Sequence, residues 1–290
     1  MKSIRCHDRF RAILGLLKEH GPLSVSALMQ MIDPPIKKRK LRGSLSRLIR
    51  KGWVDRRDER RFGGAGHFYQ LAQSQNRRRE VAEFLSCDPI SLHQPEFHSR
   101  ELLHAESCAL WAHYLRMQYP GSEIIRDFKS AGNDSVRLTM LTDDGSAESV
   151  APDLLLIYRG DTPSRLTKIA FEIERTQKKK DRLRAKLRKY AVGTRIDGVV
   201  YICSTDRIER VLATLYKSKI VPLAGRINHY SSGFLLLGRD DVTPSKSAEK
   251  MVNSNFQMFD MHTWIHKLTS SKLVERHDEM FTGGTLGGPL

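Results

Sequence analysis

The sequence predicts an α+β protein of two domains, a small helical unit closed by a β-hairpin and then an α/β sandwich on a mixed sheet. Three observations predict it. The 290 residues exceed one domain of ordinary size. The first 72 residues carry three amphipathic helical patterns followed by two short strands around a glycine-rich turn. From about residue 100 the order is helix, three strands, helix, strand, helix, strand.

In HDRFRAILGLLKEHGP, Phe10, Ile13, Leu14 and Leu17 form one helical stripe, stopped at Gly21-Pro22. Ser24 is the expected N-cap of a short helix, SVSALMQMI, which Asp33-Pro34-Pro35 ends. In the third helix, PIKKRKLRGSLSRLIRKGW, Leu41, Leu45, Leu48 and Ile49 keep helical spacing. WVDRRDERRF, the turn Gly63-Gly64-Ala65-Gly66 and HFYQLA read as a hairpin. Three helices and a hairpin in this order make a winged helix-turn-helix, whose third helix enters the major groove. Lys37, Lys38, Arg39, Lys40, Arg42, Arg47 and Arg50 supply its charge, and Ser44 and Ser46 are expected to reach base edges or phosphates. Arg56, Arg57, Arg60 and Arg61 give the hairpin a backbone-gripping wing.

Residues 73–99 read as a connector with a helical start, and the second domain as 100–240. HSRELLHAESCALWAHYLRMQYP is a long helix ended by Pro120-Gly121. Strand SEIIRDF, an exposed stretch, SVRLTML and the turn-like TDDGSAES follow. Then come PDLLLIYR, turn DTPS, TKIAFEIE, helix KKKDRLRAKLRKYA, strand GVVYICS, helix DRIERVLATLYKS and strand GFLLLG. GVVYICS is apolar throughout, as a strand covered on both faces should be. Residues 241–290 are a C-terminal extension whose glycine-rich tail is expected to be disordered.

Charge is unevenly placed. Residues 1–100 hold 21 Lys/Arg against 10 Asp/Glu, or +11; residues 101–174 hold 7 against 12, or −5; residues 175–220 hold 14 against 4, or +10. An acidic centre between two basic zones suits a polyanion held over a cation-binding pocket, since phosphate affinity needs clustered cations. The plain alternative is a basic, soluble surface. No apolar run approaches the roughly 20 residues that span a bilayer, so no membrane insertion is expected. The N-terminus lacks a signal-peptide core, and four scattered cysteines at 6, 87, 108 and 203 contain no CxxC pair. A cytoplasmic location is expected.

The chemistry concentrates in residues 151–190. Alternation along a strand points Glu172 and Glu174 to one face, and Asp153, opening the neighbouring strand, can come beside them. Clustered carboxylates repel unless a cation lies between them, and oxygen ligands suit Mg²⁺ or Mn²⁺. Glu106 sits on the apolar face of the long helix, costly there unless it meets a cation or a donor. Singly, each has an ordinary structural alternative: a strand-opening Pro-Asp, solvent-facing glutamates, a solvated basic helix.

Pro152-Asp153 on one strand and Glu172-Ile173-Glu174 on the next, followed by the basic helix, resemble the PD-(D/E)XK nuclease core over roughly residues 100–240. The resemblance implies a restriction-endonuclease-like α/β/α fold with Asp153, Glu172 and Glu174 as metal ligands and catalytic groups. It also implies a further acid on the first helix, a role Glu106 matches. The usual third residue is lysine; here it is Glu174, so a lysine from the following helix can take the part. Leu183, Leu187 and Tyr190 make that helix's buried stripe, with Lys179 and Lys186 beside it, and Lys186 is preferred. Lys178, Lys179 and Arg182 are its expected DNA contacts.

A winged helix joined to such a domain resembles the MobC-type (MOB-C class) relaxases of mobilisable plasmids and integrative elements. That resemblance implies site- and strand-specific nicking at a transfer origin to start conjugation, with relaxosome accessory or coupling proteins as partners. Duplex DNA would be read by the winged helix and a single strand placed at the metal. Two other readings remain open: a non-catalytic DNA-binding regulator on a degenerate nuclease fold, and a restriction- or transposon-type endonuclease cutting both strands.

Overall fold

The structure is a computed structural model that describes residues 6–59, 66–126, 138–141, 147–159, 166–193, 196–220, 235–253 and 255–270. The chain is α+β with a mixed sheet and divides into two compact units, Met1–Leu115 and Arg116–Leu290.

In the first unit, α1 (Cys6–His20), β1 (Leu23–Ser24), α2 (Val25–Met31) and α3 (Lys38–Arg50) precede β2 (Val54–Glu59) and β3 (Gly66–Leu71). The sheet order is β1-β3-β2, all antiparallel. Ser24 caps α2, its side chain accepting from the Ala27 N–H at 3.2 Å. The leucines of α1 and α3 meet in one core with Leu23, Leu28 and Leu71.

The stretch expected to be a connector is ordered and packed. It holds α4 (Gln75–Leu85), ending in the left-handed residue Ser86, and a 3₁₀ turn at Pro89–Leu92. Val81, Ala82, Leu92 and, from α5 (Ser99–Gln118), Ala109 enter the first core. The unit boundary therefore falls within α5, after Leu115, rather than at residue 100. A helix with apolar residues around most of its surface can be claimed by more than one core, and its sequence does not say where one ends.

In the second unit a seven-stranded sheet contains β4 (Glu123–Arg126), β7 (Leu154–Arg159), β8 (Leu166–Glu174), β9 (Gly198–Cys203), β10 (Leu235–Arg239), β11 (Met251–Asn253) and β12 (Met258–Phe259). The strand order is β12-β11-β10-β9-β8-β7-β4. Pairings β8–β9 and β9–β10 are parallel and the others antiparallel. β9 is buried at every position. Its parallel pairings need crossovers, supplied by α6 (Lys180–Gly193) and α7 (Asp206–Leu215), the latter running on into a π-helical turn at Tyr216–Ile220. Leu183, Leu187 and Tyr190 of α6 and Ile208 and Leu212 of α7 pack with Leu155, Ala170, Val199, Tyr201 and Cys203.

Three features depart from the sequence reading. The segment expected as turn-like contains β6 (Ala147–Val150), which pairs with β5 (Leu138–Leu141) in a separate hairpin. The C-terminal extension contributes β11, β12, α8 (Pro244–Ala248) and α9 (Met261–Ser270). Gly198 also has a packing role, since a Cβ there would overlap the Trp264 ring, so α9 lies close against β9. Strands of two or three residues carry too little periodicity to be seen in sequence. The turn 63–65, the DTPS turn and the tail 271–290 lie outside the described residues. No helix among the described residues is long and apolar enough to cross a membrane.

Candidate functional site

Glu172 and Glu174 occupy the C-terminal end of β8, where register pairs them with Tyr201 and Cys203 of β9. Paired residues share a sheet face, so both glutamates point toward α6, and both are 2% exposed. Asp153 immediately precedes β7, which runs antiparallel to β8, and its Oδ2 accepts the Ile173 N–H at 2.7 Å. That bond ties the start of one strand to the end of the next.

From α6, Lys186 brings its Nζ to 2.5 Å from Glu172 Oε2. The Tyr190 hydroxyl, one turn on, donates to Glu172 Oε1. Lys178 Nζ lies 2.8 Å from Glu174 Oε2. The buried stripe Leu183, Leu187 and Tyr190 explains the geometry: it sets the helix rotation and turns Lys186 inward. Lys179 and Arg182 are exposed.

Three carboxylates and two ammonium groups thus meet here. Burial first, and Asp153 second, push the Glu172 carboxyl up to about 7 against the pull of Lys186 and Tyr190. Burial works to lower Lys186, but Glu172, Asp153 and Glu174 outweigh it and raise the ammonium above its ordinary value. The lysine is the more securely charged member of the pair, because three carboxylates act on it.

A stability prediction follows from Glu172. Its folded value lies above the unfolded one, so folding takes up a proton; the contribution is full below about 4.5 and lost as pH rises through about 7. Wild type is expected to lose on the order of 2–3 kcal/mol between pH 5 and pH 8 in chelator. Glu172→Gln should flatten that slope, as read from urea melts; an unchanged slope would show that Glu172 titrates normally.

The sequence reading has three carboxylates sharing one cation. Among the described residues no group of three or more His, Cys, Asp or Glu side chains is arranged to hold a metal ion. Lys178 and Lys186 take up carboxylate oxygens that such a cage would use. The donor chemistry nevertheless fits Mg²⁺ or Mn²⁺, since one or two carboxylates suffice when water and a substrate phosphate complete the shell. Asp153 and Glu172 are such a pair.

Glu106 lies in the first unit, where its Oε2 accepts the Ser24 backbone N–H at 2.5 Å. The donor it needed is the start of α2. Nearby, burial lowers His113 below its usual value.

On α3, Lys37, Lys38, Arg39, Lys40, Arg42, Arg47 and Arg50 are exposed, as is Ser46, whose hydroxyl donates to the Arg42 carbonyl at 3.0 Å. Ser44 corrects the sequence reading. It is 3% exposed and accepts from Arg9 Nε at 3.3 Å, so it faces inward. It lies three residues after Leu41 and four before Leu48, both buried, and the helical period assigns it to that face. Arg56 is exposed, whereas Arg57 is half-buried and donates to the Phe97 carbonyl at 2.7 Å. Arg60 and Arg61 lie outside the described residues.

Two contributors were not foreseen. Tyr190 reads as an ordinary core tyrosine in sequence, yet its hydroxyl holds Glu172; its position four residues after Lys186 was the available signal. Tyr201 lies on the glutamates' sheet face within an unbroken apolar strand, and nothing in sequence marks it.

No protein-family model matches the chain, and no curated protein or solved structure matches it.

Proposed function

We propose that this chain is a metal-dependent DNA-nicking enzyme of the relaxase type, acting at a transfer origin to start mobilisation. On this reading the first unit is a winged helix-turn-helix that holds duplex DNA through α3. The second is a PD-(D/E)XK-like centre that cleaves one strand, with relaxosome proteins as partners. The observation that carries it is Lys186 Nζ at 2.5 Å from Glu172 Oε2. On this reading Lys186 from α6 takes the part of the lysine that the PD-(D/E)XK pattern has in place of Glu174. Asp153 and Glu172 would hold the cation. Once bound, it supplies Lewis-acid polarisation of the phosphate and a more acidic water. The protein's own groups do the rest: Lys186 neutralises charge on the phosphate, Tyr190 orients Glu172, and the Ile173 N–H fixes Asp153. Incubation with supercoiled plasmid and Mn²⁺ tests the reading, which expects open circles. Linear product would instead support an endonuclease cutting both strands.

A second reading, a non-catalytic DNA-binding regulator, is favoured by the pairing of both Glu172 oxygens inside the protein. No product of either form, with intact DNA binding, would support it.

Gly43 tests the DNA contact of α3 separately. It lies on the exposed face among Arg39, Arg42, Ser46, Arg47 and Arg50, and a Cβ there meets nothing within 4 Å. Alanine should therefore stabilise the unit by about 0.5–1 kcal/mol. If a DNA backbone approaches here, Gly43→Ala weakens duplex binding while raising the urea midpoint. Higher stability with unchanged affinity would move the DNA-facing surface off this side of α3.

A further inference from the structure

Lys178 and Lys186 each pair with a buried glutamate, but they are held differently. Lys186 is on α6 between Leu183 and Leu187, both buried. Lys178 lies in the irregular stretch between β8 and α6, with its side chain 30% exposed, while its partner Glu174 is 3% exposed. The pair spans four residues, and Lys178 itself is not among the buried residues of the core. Lys179 and Lys180 beside it are exposed, and the three form a run of positive charge leading into α6.

Below the acids is a second observation. Tyr201 is wholly buried on the sheet face of Glu172, and its hydroxyl makes no hydrogen bond among the described residues. Burial first, then Glu172, Glu174 and Asp153, push that hydroxyl well above its ordinary value, so it lies within electrostatic reach of all three acids. A buried hydroxyl left unmatched costs free energy, which a further polar group entering the cluster would recover.

We propose that Lys178 is an internal counterion that makes divalent-cation binding at this site conditional on DNA. Without DNA its ammonium occupies Glu174. A phosphate backbone crossing the 178–180 run draws it outward, and the freed carboxylate joins Asp153 and Glu172 as a cation ligand. The inference rests on the reading of this site as a metal centre. It gives that centre a safeguard: cation and polyanion load together, so the loaded site forms on DNA. Linkage requires reciprocity, with the cation tightening DNA by the factor by which DNA tightens the cation.

The test is Mn²⁺ binding to the full chain, read from the electron paramagnetic resonance of free Mn²⁺, with and without a short DNA duplex at low salt. In wild type the duplex is expected to raise Mn²⁺ affinity about tenfold, and Mn²⁺ to raise duplex affinity equally. Lys178→Met keeps the aliphatic stem and removes the charge. It should raise DNA-free Mn²⁺ affinity about tenfold and reduce the coupling to about twofold or less. Lys246→Met, the same charge loss at an exposed residue of α8 outside the 178–180 run, should leave DNA-free affinity unchanged. A Lys178→Met effect no larger than that of Lys246→Met overturns the counterion role. Asp153→Ala keeps the two ideas apart. If it binds Mn²⁺ like wild type, the metal-centre reading fails and the inference with it. If it loses Mn²⁺ while Lys178→Met changes nothing, the metal centre stands and the counterion role alone falls.

Discussion

Replacing Asp153 or Glu172 with alanine is expected to abolish plasmid nicking, by at least about 10³-fold, while duplex affinity measured in chelator stays within about twofold of wild type. The size follows from the few groups available. Asp153 is fixed by the Ile173 N–H, and Glu172 is gripped by Lys186 and Tyr190, so in either variant the remaining member of the pair is held in place and cannot move to cover the loss. Alanine at 172 also leaves Lys186, largely shielded from water, without its nearest counter-charge. Lower stability is therefore expected in that variant, and Glu172→Gln serves as the isosteric control. Gel separation of supercoiled, open-circle and linear plasmid gives the activity, and fluorescence anisotropy the affinity. Nicking retained by both alanine variants would remove the enzymatic reading and leave the regulator.

The second large effect concerns α3. Removing Lys38, Arg39, Arg42 and Arg50 together is expected to lower duplex affinity by about 10²–10³-fold near physiological salt. The dependence of log affinity on log salt should become shallower by about 0.9 for each phosphate that is no longer neutralised. Exposure makes the test clean, since none of the four contributes to the leucine core of α3, and the fold should survive their removal. A change equal for every sequence identifies phosphate binding. A change confined to one sequence identifies base reading, and points to side chains such as Arg42 or Ser46 at the groove. An unaltered salt slope would mean that the basic load of the first unit is solvated and unused.

How much of this was legible in sequence varies with the physics of each feature. The helical stripe Leu183, Leu187 and Tyr190 is a local property, and Lys186 beside it could be singled out from the chain alone. Ser44 carried the same kind of signal: its spacing from Leu41 and Leu48 predicts an inward position, although its residue type suggested a DNA contact. Glu106 was recognisable as an acid in need of a partner, but which partner it would find could not be read. The Ser24 N–H is 82 residues away. The ion pair of Lys178 with Glu174 spans only four residues, yet the helical rule for such pairs does not apply where strand gives way to irregular chain. β11 and β12, of three and two residues, were missed because such short strands owe their conformation to the sheet they join.

Legible in the chain alone were the order of the longer elements up to β10, the two-unit plan, the inward faces of the main helices and the alternation that turns Glu172 and Glu174 the same way. These depend on periodicity and local propensity, which act over a few residues. Packing settled that Asp153 is held by the Ile173 N–H. It also decided that lysines and a tyrosine, rather than open space, meet the acids. Those outcomes depend on strand register and helix rotation, set only when distant segments bury their apolar faces against each other.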